Sequence, residues 1–224
     1  MLKRCTKVYW LQAMNHTTPP IHKDLSSPTT TTEVSPELAG VSALGVREGK
    51  VELVPHNPLW QTYFTLERQR LSAALAPYIK EIRHIGSTAI PGIYAKPILD
   101  IMVGLFTIAD VRYCQAPLAT LDYIYEGEQN IPGWHFFRKK TGDMTTHHLH
   151  VVEWGGAYWR DHILFYEYLL QHPEVAEAYE RLKLALAQEH ADSREAYTRE
   201  KTDFVNKVTE MAQRVQHYQS ASKG

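Results

Sequence analysis

The chain has 224 residues, 44% hydrophobic and 22% charged, the composition of a soluble globular protein. Its 24 basic and 25 acidic residues leave a formal net charge of −1, which excludes a global field drawing it to nucleic acid or to an anionic membrane. Two cysteines, Cys5 and Cys114, exclude a disulfide framework or a cysteine metal site, and no apolar run reaches the ~20 residues that a membrane span needs.

Both cysteines are expected as free thiols in a reducing cytoplasm. Met1 to Leu11 are mildly basic and lack the apolar core and cleavage site of a secretory signal, and Met14 offers an alternative start. Asn15 to about Leu44 is rich in Thr, Ser and Pro without apolar periodicity. Such a stretch cannot bury enough surface to offset its ordering entropy. The expected division is a disordered extension over 1–45, one domain over 46–215 and a flexible tail over 216–224.

Val51 to Val54 reads as a short strand or an extended lead-in. Asn57-Pro58 supplies a capping side chain followed by proline at the first helical position. Trp60, Tyr63, Phe64, Leu71 and Leu75 then recur at helical spacing until Pro77. Ile82 to Ile85 is the first full strand. Ile98 to Leu105 is the second, with Leu99, Ile101, Val103 and Leu105 on one face and Asp100 and Met102 on the other. A helix is expected from Thr107, with Asp110 in a capping-box-like pair and a disturbance at Pro117.

Trp134 to Lys139 and Thr145 to Trp154 read as the arms of an antiparallel hairpin with Gly142 in its turn. The rest reads as helical: Arg160 to Gln171, a helix opening at Pro173, and a last long helix capped by Asp192-Ser193. Tyr197, Lys201, Phe204, Val208, Met211 and Val215 form its stripe. The expected class is α+β, a small mixed sheet flanked by helices with a helical C-terminal half.

Chemistry concentrates between His84 and Asp100. Gly86 lets the backbone approach an oxyanion closely, and Ser87 and Thr88 add hydroxyl donors. Asp100, on a rigid strand facing that turn, sits where an Mg²⁺ ligand belongs. The next residue on its face is Met102, whereas a two-metal site needs further carboxylates. On the strand after the hairpin, His148 and His150 share a face opposite Leu149 and Val151. Two imidazoles two residues apart can chelate a metal or, when protonated, hold a phosphate. Glu153 falls on the other face from His150, and Asp143 belongs to the turn. Lys96, before Pro97, would close over a phosphate, with Arg138 a weaker candidate of the same kind. Lys201, on the apolar stripe of the last helix, either snorkels or meets a buried anion. His84 would orient or contact the phosphate turn.

These residues resemble the GrpB family. The resemblance rests on His84-Ile-Gly-Ser-Thr-Ala-Ile-Pro-Gly, on Lys96-Pro-Ile-Leu-Asp100-Ile, and on the His-Leu-His-Val segment at His148 to Val151. It continues through Phe165 to Pro173, Tyr179 with Lys183, and Tyr197 with Lys201, and spans about Val51 to Met211. It implies a branch of the nucleotidyltransferase-fold superfamily, whose signature is Gly-Ser, a spacer, then Asp-x-Asp or Asp-x-Glu. Met102 departs from that signature.

What it implies is an Mg²⁺-dependent nucleotidyl transfer to an unknown acceptor. His84, Gly86, Ser87, Thr88, Lys96 and Lys201 would hold the nucleotide phosphates, Asp100 and His150 the metal, and Asp100, His148 and His150 the chemistry. A non-catalytic module that binds a nucleotide or another phosphorylated small molecule is the alternative. A histidine-triad-like hydrolase, with His148 as nucleophile, is a third reading; there Thr146 stands where its first histidine belongs. No nucleic acid or membrane partner is expected.

Overall fold

A computed structural model of the chain describes residues 44–221, so the expected extension lies almost wholly outside the described residues, as does Cys5. Helix α1 (Leu59–Leu75) begins where Asn57 Oδ1 accepts the Leu59 N–H at 3.0 Å, with Pro58 between them. Its buried stripe is Trp60, Phe64, Glu67, Leu71 and Leu75. Glu67 is the polar member. Lys139 Nζ at 3.1 Å and Arg70 Nη1 at 3.2 Å meet its carboxylate. Burial would raise its pKa, but Lys139 foremost, with His147 and the Tyr123 hydroxyl, carries it below the ordinary value, so it stays ionised.

The sheet comprises β1 (Val46–Arg47), β2 (Ile79–Ile85), β3 (Leu99–Leu105), β4 (Tyr123–Glu128), β5 (His135–Thr141) and β6 (Met144–Glu153). Its order is β2-β3-β6-β5-β4, with β1 paired to the start of β6. Only β3 and β6 run parallel among these pairs. The remaining helices are α2 (Val111–Ala119), α3 (Ala157–Gln171), α4 (Pro173–Glu189) and α5 (Arg194–Ala221). This is the α+β class and mixed sheet expected from the sequence.

Strand parity sorts the sheet into two layers. Leu99, Ile101, Val103, Leu105, Leu149, Val151 and Phe137 form one core with α1 and α2. On the other face Met102, Val152 and Ile85 pack with Trp134, Tyr158 and Trp159 beneath α3. A further cluster joins α3, α4 and α5 through Phe165, Leu169, Tyr179, Val205 and Val208, and Ile90 and Ile93 plug into it. The loop between β2 and β3 is therefore fastened to the helices as well as to the sheet.

Several boundaries differ from expectation. The first full strand begins earlier, at Ile79, because Ile79 and Glu81 also pair with β3 across a bulge. The expected capping box at Thr107 does not form: a 3₁₀ turn over Ile108–Asp110 precedes α2, and Thr107 makes no side-chain cap. Strand β4 was not expected. It is an edge strand that pairs with β5 and exposes Ile124 and Tyr125, so its residues carry no clean inside–outside alternation. Helix α5 runs on through residue 215 to Ala221. Val54 forms an isolated bridge with Ala95, the extended lead-in.

Candidate functional site

The parallel pairing of β3 and β6 sets Asp100 opposite His148 and Met102 opposite His150. The antiparallel pairing of β2 brings Ile85 opposite Asp100, so the chain leaves β2 directly above the carboxylate. Gly86 makes that exit possible. Its φ of 71° and ψ of −173° are open only to glycine, and a Cβ there would lie 2.4 Å from Asp100 Oδ2. The Asp100 side chain keeps 20% exposure, so the carboxylate reaches solvent beside the turn, and the space next to it is called the recess.

Donor chemistry fixes the protonation of this recess. Arg194 Nη2 lies 3.0 Å from His148 Nε2, and a guanidinium can only donate, so that nitrogen accepts. The imidazole proton then sits on Nδ1 and is donated to Asp100 Oδ1 at 2.8 Å. The result is a chain from guanidinium through a neutral imidazole to a carboxylate. Burial pushes the His148 pKa down to about 4 against the raising effect of Asp100, with Arg194 and Lys96 helping to lower it. Burial would raise the Asp100 pKa, but the His148 hydrogen bond and nearby positive charge hold it at about 2. Asp100 is ionised and His148 neutral at neutral pH.

His150 is likewise fixed. Trp134 Nε1–H donates to its Nδ1 at 3.1 Å. An indole only donates, so Nδ1 accepts, the Tyr158 hydroxyl at 3.1 Å donates to it too, and the ring proton is on Nε2. Burial holds this imidazole at about 4. His162 stacks on Tyr158 with ring centroids 3.8 Å apart and donates Nδ1–H to the Tyr158 carbonyl at 2.7 Å.

Lys96 acts on the carboxylate, and further cations gather around Lys96. The Lys96 ammonium lies 5.1 Å from the centre of the Tyr197 ring and the Lys201 ammonium 5.0 Å from the same centre. Lys183, 1% exposed, donates to the Tyr94 carbonyl just before Lys96 and lies 4.8 Å over Tyr179. Burial first, then the charges of Arg194 and Lys201, push the Lys96 pKa well below its usual value, with Asp100 opposing and Lys183 adding to the push. Burial brings Lys183 to about 7. Among the described residues none of these three lysines forms an ion pair.

The sequence-based candidates separate on this geometry. Gly86, Lys96, Asp100 and His148 come together around the recess, Ser87 follows Gly86 in the turn, and Lys201 shares the Tyr197 ring with Lys96. His84 and Thr88, expected to hold phosphate, lie on the other side of β2. His84 stacks on Phe64 at 4.7 Å and donates Nε2–H to Thr88 Oγ1 at 3.0 Å, while the Thr88 hydroxyl donates to the Ile98 carbonyl at 3.2 Å. Their donors are spent fastening the turn. Arg138, opposite His148 in register, is tied to Glu126 at 2.7 Å and Glu48 at 2.9 Å. Asp143 pairs with Arg47 at 3.3 Å, and Glu153 is exposed.

Arg194 and Lys183 were not singled out as site residues. A signal existed for Arg194: it lies three and seven residues before Tyr197 and Lys201, on the same helical stripe.

The residues do not fit a bound Mg²⁺. That ion takes octahedral oxygen ligands, usually more than one carboxylate or phosphate. Here a single carboxylate gives one oxygen to His148 and tucks the other beneath Gly86. Met102, where a second acid belongs, is packed among Trp134, Tyr158 and Trp159. The nitrogen of His150 that faces Trp134 is already an acceptor. Among the described residues the only group of three side chains with metal-ligand spacing is Glu189, His190 and Glu200, at the far end of α4.

The fold and recess define an α+β protein whose sheet carries one part-buried Asp–His pair beneath a Gly-Ser turn, with Arg194 of α5 donating to its histidine. Residues 50–211 match the family model described as GrpB protein. The chain is 40% identical over 169 residues to the glutamate-rich protein GrpB of Alkalihalophilus pseudofirmus, covering 74% of this chain and 97% of that protein. It is 37% identical over 165 residues to the UPF0157 protein YqkA of Bacillus subtilis, covering 74% of this chain and 48% of that longer protein. The crystal structure of the conserved protein GrpB from Enterococcus faecalis superposes with a TM-score of 0.67 at 33% identity, over 72% of this chain and 96% of that one. The chain belongs to the GrpB family. Among the described residues no helix is long and apolar enough to cross a membrane.

Proposed function

We propose that the protein binds a phosphorylated small molecule, such as a nucleotide, in the recess above Asp100. The observation that carries this reading is charge. Arg194, Lys201 and Lys183 all act on Lys96, and the carboxylates that oppose these cations are Asp100, with Glu180 acting on Lys183 and Glu48 on Arg194. Cations are costly to bury without a counter-ion, and the depressed Lys96 and Lys183 pKa values register that cost. An anion entering the recess relieves it. Ser87, partly exposed at the mouth, adds a hydroxyl, while Gly86 keeps the backbone close to the carboxylate.

Replacing Lys201 by Met keeps an unbranched side chain of similar length and removes the charge that lies over Tyr197. Calorimetric titration with nucleoside mono-, di- and triphosphates is expected to give binding by the native chain and a loss of roughly 10- to 100-fold in the variant, since a charge-assisted contact is worth ~1.5–3 kcal/mol. Equal affinity of both proteins would remove Lys201 from the ligand.

One observation favours the runner-up, nucleotidyl transfer. The 2.8 Å bond from His148 to Asp100 orients an imidazole as in many general bases. His148 Nε2, however, accepts from Arg194, and the ring titrates far below neutrality. Turnover of a nucleoside triphosphate that disappears on His148→Gln, with ligand affinity retained, would establish that reading.

A further inference from the structure

Away from Asp100, the corner between α4 and α5 gathers three side chains that can ligate a metal. Glu189 is the last residue of α4, His190 caps that helix, and Glu200 lies in the second turn of α5. One ligand atom from each lies within 4.8 Å of the other two. The corner is fastened independently of them. Val51 N–H donates to the Ala191 carbonyl at 3.1 Å, and Lys50 pairs with Asp192. The backbone that presents the three side chains is therefore held in place before any ion arrives, which is what a metal site requires of its scaffold.

The donor atoms are suitably disposed. His190 Nε2 stands 3.1 Å from Glu200 Oε2, and two ligands held ~2.0–2.1 Å from a tetrahedral ion stand about 3.3 Å apart. That nitrogen is shut off from solvent, yet the close contact lacks the alignment of a hydrogen bond. Nε2 thus points past the carboxylate oxygen rather than at it. Arg199 approaches the other oxygen of Glu200, Oε1, at 3.5 Å, which leaves Oε2 on the imidazole side. His190 foremost, then Arg199, holds the Glu200 carboxyl below its ordinary value, so it is ionised at neutral pH, the form that ligates. Glu189 is exposed, and its carboxylate is free to swing toward the same point.

We propose that Glu189, His190 and Glu200 form a zinc site at the corner between α4 and α5, with a fourth position open to water. One imidazole with two carboxylates suits Zn²⁺, whereas Mg²⁺ and Ca²⁺ take oxygen ligands alone. The site is separate from the Asp100 recess and does not rest on the reading of that recess. Bound there, the ion ties the end of α4 to the second turn of α5. The unfolded chain does not hold the three ligands together, so binding adds to the stability of the fold.

The intact chain is treated with EDTA, desalted and titrated with Zn²⁺ by calorimetry, and its melting midpoint is followed with Zn²⁺ and with Mg²⁺. The expected result is saturable binding of one Zn²⁺ per chain, with the midpoint raised by roughly 5–10 °C at a hundredfold excess over Kd. Mg²⁺ at the same concentration is expected to leave the midpoint unchanged. His190→Gln and Glu200→Gln are each expected to weaken Zn²⁺ binding by roughly tenfold or more and to abolish the midpoint shift. His172→Gln, which removes a ring paired with Glu174 at the other end of α4, is expected to bind as the native chain does. No saturable Zn²⁺ binding, a midpoint that Zn²⁺ lowers, or an equal rise with Mg²⁺ overturns the proposal. So does affinity that both ligand variants leave unchanged, which places the ion elsewhere on the chain. Should His190→Gln not fold, the exposed Glu200→Gln change decides alone, and unchanged Zn²⁺ affinity in that variant overturns the site.

Discussion

Acidification from pH 7 to pH 4 is expected to unfold the protein cooperatively. Burial depresses His84, His147, His148 and His150 to about 4 and His162 well below its ordinary 6.5. In the unfolded chain each regains a pKa near 6.5. The unfolded state therefore binds protons first, so the stability these rings contribute is fully present above about 6.5 and is lost as pH falls from there toward 4. A depression of that size corresponds to about 3 kcal/mol per ring at the acid end. Four such rings together reach the ~5–15 kcal/mol of a typical domain, and His162 adds in the same direction. Asp100, held at about 2, withdraws its own contribution only below the ordinary carboxylate value of 3.8, later than the histidines. Far-ultraviolet circular dichroism and tryptophan fluorescence against pH measure this: a single transition between pH 6.5 and 4 is expected, and native spectra retained at pH 4 would contradict it.

Gly86→Ala is expected to be the most damaging single methyl in the chain. Its Cβ would stand 2.4 Å from Asp100 Oδ2 and 2.8 Å from Asp100 Cβ, at a φ of +71°. The strained backbone alone costs ~1–3 kcal/mol. The clash cannot relax by moving a flexible tip, because Asp100 Cβ belongs to a central strand and its carboxylate is bonded to His148. A total of roughly 3–5 kcal/mol lowers the melting midpoint by about 10 °C in a domain of this size and removes anion binding with it. Gly142 provides the comparison. Its φ is +59° and nothing lies within 4 Å of an added Cβ, so Gly142→Ala costs only ~1–2 kcal/mol. Equal melting midpoints for the two variants would show that contact with Asp100 does not set the shape of the turn.

Much of the scaffold was legible in the residues. The period-two pattern of Leu99 to Leu105 assigned Asp100 and Met102 to the face opposite the α1 core, and the register bears that out. Asn57-Pro58, Gly142 and Ser193 marked a helix start, a hairpin turn and a cap, because each acts through its neighbours alone; Ser193 Oγ accepts the Ala196 N–H at 3.3 Å. Strand β4 was hidden because an edge strand with two exposed apolar side chains has no one-sided pattern to read.

The site was half legible for a related reason. Alternation placed His148 and His150 on one face, but it cannot say what covers that face. Helices α3 and α5 and the loop before β5 bury both rings and give them Tyr158, Arg194 and Trp134 as partners. The two sides of β2 were also indistinguishable in Ile82-Arg83-His84-Ile85, where each face carries one isoleucine and one polar side chain, so His84 and Thr88 were grouped with Ser87 although their bonds run to the α1 side and to the loop carbonyl of Ile98.

The central claim is that one recess, floored by Asp100 and edged by Lys96, Arg194 and Lys201, receives an anion. A crystal structure of the protein grown with pyrophosphate and EDTA tests it most directly. The account predicts density for the anion within hydrogen-bonding distance of Lys96, Arg194 and Lys201, with the His148–Asp100 bond intact. A well-ordered recess holding only water, or pyrophosphate seated elsewhere on the chain, would contradict it.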